Sequence, residues 1–233
     1  MSLGASFTFS HALGLASYNP VVPNNYSWNY GNQGFDRPQN FQMNWSYDIP
    51  GLGKALHSKA LGIFVDRWTF SGVFSAQSGP NFNPGVSLTP TTPDYTGTPD
   101  VSARPLVVGN PMANVPAGLY YNPAVYLPPA PGNYTSTVTT PVLGDVGGGS
   151  GVLFLPMIYN VDITMSKFIP IFGERRGLRL QAQAYNFLNH PQFVGINSTS
   201  TYNTAGAQTS LAAGTYSATL PARIMAFSAR FEF

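Results

Sequence analysis

Residues 222–233 read ARIMAFSARFEF, and their alternation decides the fold. Met225, Phe227, Ala229, Phe231 and Phe233 take one parity; Ala226, Ser228, Arg230 and Glu232 take the other. Side chains on a strand point to opposite faces with period two, so this is a strand with one apolar and one polar face. It also ends the chain on an aromatic. Termini of soluble domains usually fray and carry polar residues.

The same template finds five more segments upstream. SLGASFTFSH sets Leu3, Ala5, Phe7 and Phe9 against Ser6, Thr8 and Ser10. NFQMNWSYDIP sets Phe41, Met43, Trp45 and Tyr47 against Gln42, Asn44, Ser46 and Asp48. RWTFSGVFSAQSG sets Trp68, Phe70, Phe74 and Ala76 against Thr69, Ser71, Ser75 and Gln77. NVDITMSKF sets Val161, Ile163 and Met165 against Asp162, Thr164 and Ser166. GLRLQAQAYNF sets Leu178, Leu180, Ala182 and Ala184 against Arg179, Gln181, Gln183 and Tyr185. No helix competes well; GKALHSKALGIF (53–64) is the one plausible helical piece, and it is short.

The connections alternate in length: long (13–37), short (around PGLGKALHSK), very long (79–157), short (IPIFGERRG), long (189–220). A soluble sandwich has no reason to gather its long loops at one end and would show turn signals every 8–12 residues or so. Outer-membrane barrels do gather them, with short periplasmic turns and long extracellular loops. Each segment also has about the 9–11 residues that a spanning strand needs.

Composition agrees. Charged residues are 9% of the chain, aromatics 14%, with 24 Gly and 21 Pro among 233 residues, where soluble domains carry about 25% charge. Without cysteine there is no thiolate metal site, thiol catalysis or disulfide. The net charge of +2 is scattered singly, with no basic stripe for nucleic acid. Tyr47, Trp68, Phe231 and Phe233 fall at the turn ends of their strands, as an interfacial aromatic girdle would.

NVDITMSKFIPIFGERRGLRLQAQAYNFLNHPQF resembles the penultimate hairpin of Oar-like TonB-dependent outer-membrane transporters, the type with a carboxypeptidase-regulatory-like domain, abundant in acidobacteria. Asp162, Lys167 and Phe168 match before the turn, with Thr164 where the family has serine. Tyr185, Asn186, Asn189, His190, Pro191 and Phe193 match after it. FDRPQNFQMNWSYDIP, RPLVVGNP and LYYNPAVYLPP agree as well, in order along the chain. The resemblance covers nearly the whole chain but only the last part of a barrel of about 22 strands. It implies an incomplete all-β, antiparallel up-and-down barrel, 1–233, with 79–157 as the long extracellular loop region. No stretch resembles a plug domain, a TonB box or a signal peptide. The implied location is the outer membrane of a Gram-negative bacterium, and the implied role is ligand uptake or export. Implied partners are outer-membrane lipid, the remaining strands and plug of the parent, TonB through the missing N-terminal regions, and the insertion machinery. The last would read the C-terminal signal carried by Phe227, Phe231 and Phe233.

Asp162, Arg179, Arg230 and Glu232 share the polar parity and are the lumen-facing candidates, suited to ladders across strands or to plug contacts. No catalytic, cofactor or metal constellation is found. His11, His57 and His190 are far apart; GDVGGGSG (144–151) opens no helix and carries no Lys; no serine has a recognisable His and Asp partner. Two other readings stay open: a secreted β-rich adhesive or structural protein, and a passive porin-like barrel.

Overall fold

The computed structural model describes residues 1–15, 30–51, 59–89, 104–128, 153–171, 173 and 176–233. Six long strands form one antiparallel meander: β1 (Ser2–Phe9), β2 (Gln39–Ile49), β3 (Trp68–Gln77), β4 (Ile158–Pro170), β5 (Gly177–Tyr185) and β6 (Ile224–Glu232). Each strand pairs with its neighbours in sequence among the six, and β1 and β6 are the open edges.

The register turns parity into two surfaces. Leu3, Trp45, Gly72, Ile163, Ala184 and Met225 lie in one row across all six strands. The adjacent row, on the opposite face, is Ser2, Ser46, Ser71, Thr164, Gln183 and Ala226. A one-residue slip in any strand would exchange these faces, so the pattern itself fixes the pairing. Gly72 belongs to the apolar row because Trp45 fills its place: an added Cβ would stand 2.3 Å from the indole.

Among the described residues the apolar face is largely open. Leu3, Phe7, Phe9 and Phe227 are all more than 60% exposed. Of the eight fully buried hydrophobics among the described residues, only Ala184 lies in the sheet. A soluble monomer rarely leaves so large an apolar patch open. Hydrocarbon is the solvent that satisfies it, provided every backbone group is paired.

The two ends differ. At the turn end, the β4–β5 hairpin closes tightly through the Ile171 N–H donating to the Arg176 carbonyl, with Gly173 at φ +83°. The β2–β3 connection contains a helix, α1 (Lys59–Val65), which overlaps GKALHSKALGIF, the one piece that reads as plausibly helical. Its seven residues give periodicity too little length to register.

At the loop end, the Pro- and Gly-rich segment 79–157 reads from its composition as irregular, with short hairpin pieces at GLYYNPAVYL and NYTSTVTTPVL. Its described part is instead organised, and NYTSTVTTPVL (133–143) lies outside the described residues. Gly85–Thr89 pairs in parallel with Thr199–Asn203, tying the loop after β3 to the loop after β5. Asn81–Phe82 pairs with Leu153–Phe154, Leu106–Val107 with Tyr126–Leu127, Phe193–Ile196 with Tyr216–Thr219, and Leu13–Leu15 with Tyr30–Asn32. The buried core sits here: Val86 packs with Leu88 and Tyr202, and Tyr121 with Tyr126.

Candidate functional site

The polar face is mostly uncharged. From β1 to β4, Ser6, Gln42, Ser75 and Asn160 form one row, and Thr8, Asn40 and Gln77 lie in the row beyond. Such amides and hydroxyls suit water, which hydrates them without a partner ion.

The four charges singled out by parity do share this face, but they do not share a site. Arg179 and Arg230 are directly opposite each other, and the Arg179 guanidinium grips Glu232 with Nε and Nη2 at 2.6 and 3.1 Å. This bidentate fork takes its geometry from the planar guanidinium. Glu232 also relieves the repulsion between the two facing arginines. Asp162 lies six residues along β4 from Phe168, the direct partner of Arg179, or about 20 Å at strand rise. Its Oδ1 accepts from Asn160 Nδ2 at 2.7 Å and from the Asn186 N–H at 2.9 Å. Asp162 therefore holds the exit of β5.

Residue type missed a pair beside the arginines. Phe168 is on the polar face, with the Arg67 and Arg179 guanidinium carbons 5.8 and 5.6 Å from its ring centre. Arg67 reaches it from the turn, at φ +59°. The preceding residue, Lys167, is on the apolar face between Trp68 and Leu180. It is only 5% exposed: its ammonium lies 5.0 Å from the Trp68 ring centre and donates to the Asp66 carbonyl at 2.5 Å. The long stem covers apolar surface while the charge reaches back to the turn just past α1, where helix carbonyls favour a cation. Position parity gives each its face; residue type alone, which would send the aromatic to lipid and the cation to water, would misplace both.

The NFLNHPQF motif is a joint between β5 and its loop. Asn186 and Asn189 both take φ +51°, the left-handed region that asparagine tolerates best after glycine. Asn186 Nδ2 donates to the Pro221 carbonyl, and Asn189 Oδ1 accepts the Arg223 N–H. His190 stacks on Tyr159 with ring centres 4.1 Å apart, and both its ring nitrogens are buried without a hydrogen-bond partner. That is a packing role rather than a ligand's. His57 and GDVGGGSG lie outside the described residues. Among the described residues, no three His, Asp or Glu side chains gather in a way that could hold a metal.

In the loop layer, Tyr121 and Tyr126 meet edge to face at 5.7 Å, both wholly buried. The Tyr121 hydroxyl donates to the Ser198 carbonyl, and the Tyr202 hydroxyl to the Tyr126 carbonyl. Burial pushes the Tyr126 phenol up to about 12. It raises Tyr121 further, with Tyr126 and Tyr202 adding to the effect. In the unfolded chain both lose their protons near pH 10. The folded loops hold those protons longer, so their stability is full below about pH 10 and falls as pH rises through the folded values. Tyrosinate absorbance should show a late-titrating fraction of the 13 tyrosines. One transition near pH 10 for all of them would contradict this packing.

Comparison with known proteins places this geometry. The family model described as "Outer membrane beta barrel domain" matches residues 1–225. No curated protein and no solved structure matches the chain. The match spans β1 to the start of β6 and the whole loop layer, on a sheet whose apolar face is exposed. The chain belongs to the outer membrane beta barrel domain family and is a protein of the Gram-negative outer membrane.

Proposed function

We propose that the chain forms the C-terminal section of the barrel of a TonB-dependent, Oar-like transporter, which moves a ligand across the outer membrane without chemical conversion. The observation that carries this reading is the open six-stranded sheet beneath a folded loop layer. Six strands are too few to enclose a lumen, since the smallest outer-membrane barrels have eight. A loop layer with its own buried core is more than a plain diffusion pore needs. In this reading the loop layer faces outward, and the polar face lines the lumen. Arg67, Phe168, Arg179, Arg230 and Glu232 lie at the periplasmic mouth, where they meet the plug. Phe227, Phe231 and Phe233 present the last strand to the insertion machinery.

Conductance separates this role from a passive pore. The intact protein, extracted from outer membranes and placed in a planar bilayer, should stay closed and conduct only after urea displaces its plug. A steady open channel without denaturant would overturn the transporter reading in favour of a porin-like barrel.

A further inference from the structure

A trough of about 420 Å³ runs into the apolar face, bordered by Trp68, Met165, Leu180, Ala182, Phe227 and Ala229. The register explains its shape. Across β3 to β6 one row reads Trp68, Lys167, Leu180, Ala229, and the next reads Phe70, Met165, Ala182, Phe227. Two alanines on β5 and β6 therefore stand among large side chains, and the surface sinks where they are. Gln181 and Ser228 also border the trough, as a facing pair in the row between, whose parity belongs to the polar face.

The neighbours mark its depth. The Lys167 ammonium goes to the Asp66 carbonyl and the Trp68 ring, so a charged belt begins at this row. Trp68 Nε1 donates to the Phe64 carbonyl at 2.8 Å, which holds α1 beside this end of the sheet. Ile63 and Phe64 of α1 are both exposed. Tryptophan marks the headgroup level of a membrane, and a helix with open apolar side chains beside it suits the same layer. From this belt the trough runs toward Met165 and Phe227, into hydrocarbon. Short turns of outer-membrane barrels are periplasmic, so it opens to the periplasmic leaflet, which is built of glycerophospholipid. An extended acyl chain seated there touches protein along its sides as well as its base, and gains the dispersion contacts that a flat surface lacks. Between apolar surfaces in lipid such packing is the driving force. Lys167 is bonded and 5% exposed, so recognition is of the chain and not of the headgroup. A second copy fits poorly, because a two-fold pair centred here sets trough against trough and fills neither.

We propose that this trough is a fixed lipid site, holding one acyl chain of a periplasmic-leaflet glycerophospholipid. The site is independent of the transport reading and would serve a porin-like barrel equally. For the test, the intact protein is reconstituted in vesicles of phosphatidylethanolamine and phosphatidylglycerol. A trace of either lipid carries a photoreactive diazirine on one acyl chain, and adducts are mapped by mass spectrometry. Tyr47 is the internal control, since it shares the row of Met165 and is equally exposed, at 40% against 39%. Labelling should concentrate on Met165, Leu180 and Phe227 over Tyr47, with both probes alike. It should fall roughly fivefold in Ala229→Trp, which fills the trough and removes those contacts. Ala182→Leu fills it less and keeps the test decisive if the tryptophan variant assembles poorly. Even labelling of Tyr47 and the trough, unchanged labelling in a folded filled variant, or a strong preference for one headgroup would overturn the proposal. So would stronger labelling by the same diazirine on lipid A, or crosslinks joining Phe227 of two copies.

Discussion

Arginine at Phe70 or Ile163 is expected to destabilise the protein in its membrane by about 2–4 kcal/mol, while arginine at Ser71 or Thr164 is tolerated. The four positions form a matched set. Phe70 pairs with Met165 and Ser71 with Thr164, so the two pairs are adjacent rungs of one ladder at nearly the same depth. Ile163 lies one rung further, opposite Gly72. Backbone hydrogen bonding, strand propensity and distance from the turn are thus held nearly constant, and only the face changes. On the apolar face the guanidinium must stay in hydrocarbon or drag water inward. On the polar face it meets amides, hydroxyls and water. Urea unfolding from lipid vesicles measures the difference. Equal cost at all four positions would remove the bilayer from the account of this sheet.

The sheet was legible because its signal is short-range and repeated. Period-two alternation marks faces, and six segments obeyed it. Height along the strand is a different quantity, set by pairing register, and parity carries no information about it. Asp162 therefore joined Arg179, Arg230 and Glu232 by face, yet it lies well away from them along the sheet and anchors the β5 joint. Lys167 and Phe168 show a second limit. Near a turn, a long cationic side chain can reverse course along its own stem, and an aromatic ring can be more useful between two guanidiniums than in lipid. The loop layer was the least legible part. Its core depends on Tyr121, Tyr126, Val86, Leu88 and Tyr202, drawn from three stretches of chain with no periodicity. Proline and glycine between them suggest irregularity. The long-range parallel pairing of Gly85–Thr89 with Thr199–Asn203 and the hydroxyl bonds of Tyr121 and Tyr202 bring those stretches together.

The chain produced by itself is expected to fail at membrane insertion and to aggregate, whereas the intact protein runs as a compact, heat-modifiable species on gels. The reason lies in the two edges. β1 has eight residues and β6 nine, each hydrogen-bonded along one side only. In an antiparallel strand about half the residues direct their N–H and C=O outward on each side. Roughly eight residues therefore present unpaired groups, each costing several kcal/mol in hydrocarbon. The sum reaches tens of kcal/mol, more than the whole stability of an ordinary domain. In water the same edges recruit other strands, and the exposed Leu3, Phe7, Phe227 and Phe231 aid that association. In the transporter reading proposed above, pairing of β1 and β6 with further strands would remove both penalties. Gel mobility with and without heating, together with amide exchange across 2–9 and 224–232, decides the matter. A heat-modifiable band from the chain alone, with both edges protected, would mean that β1 and β6 find each other and that this sheet closes without help.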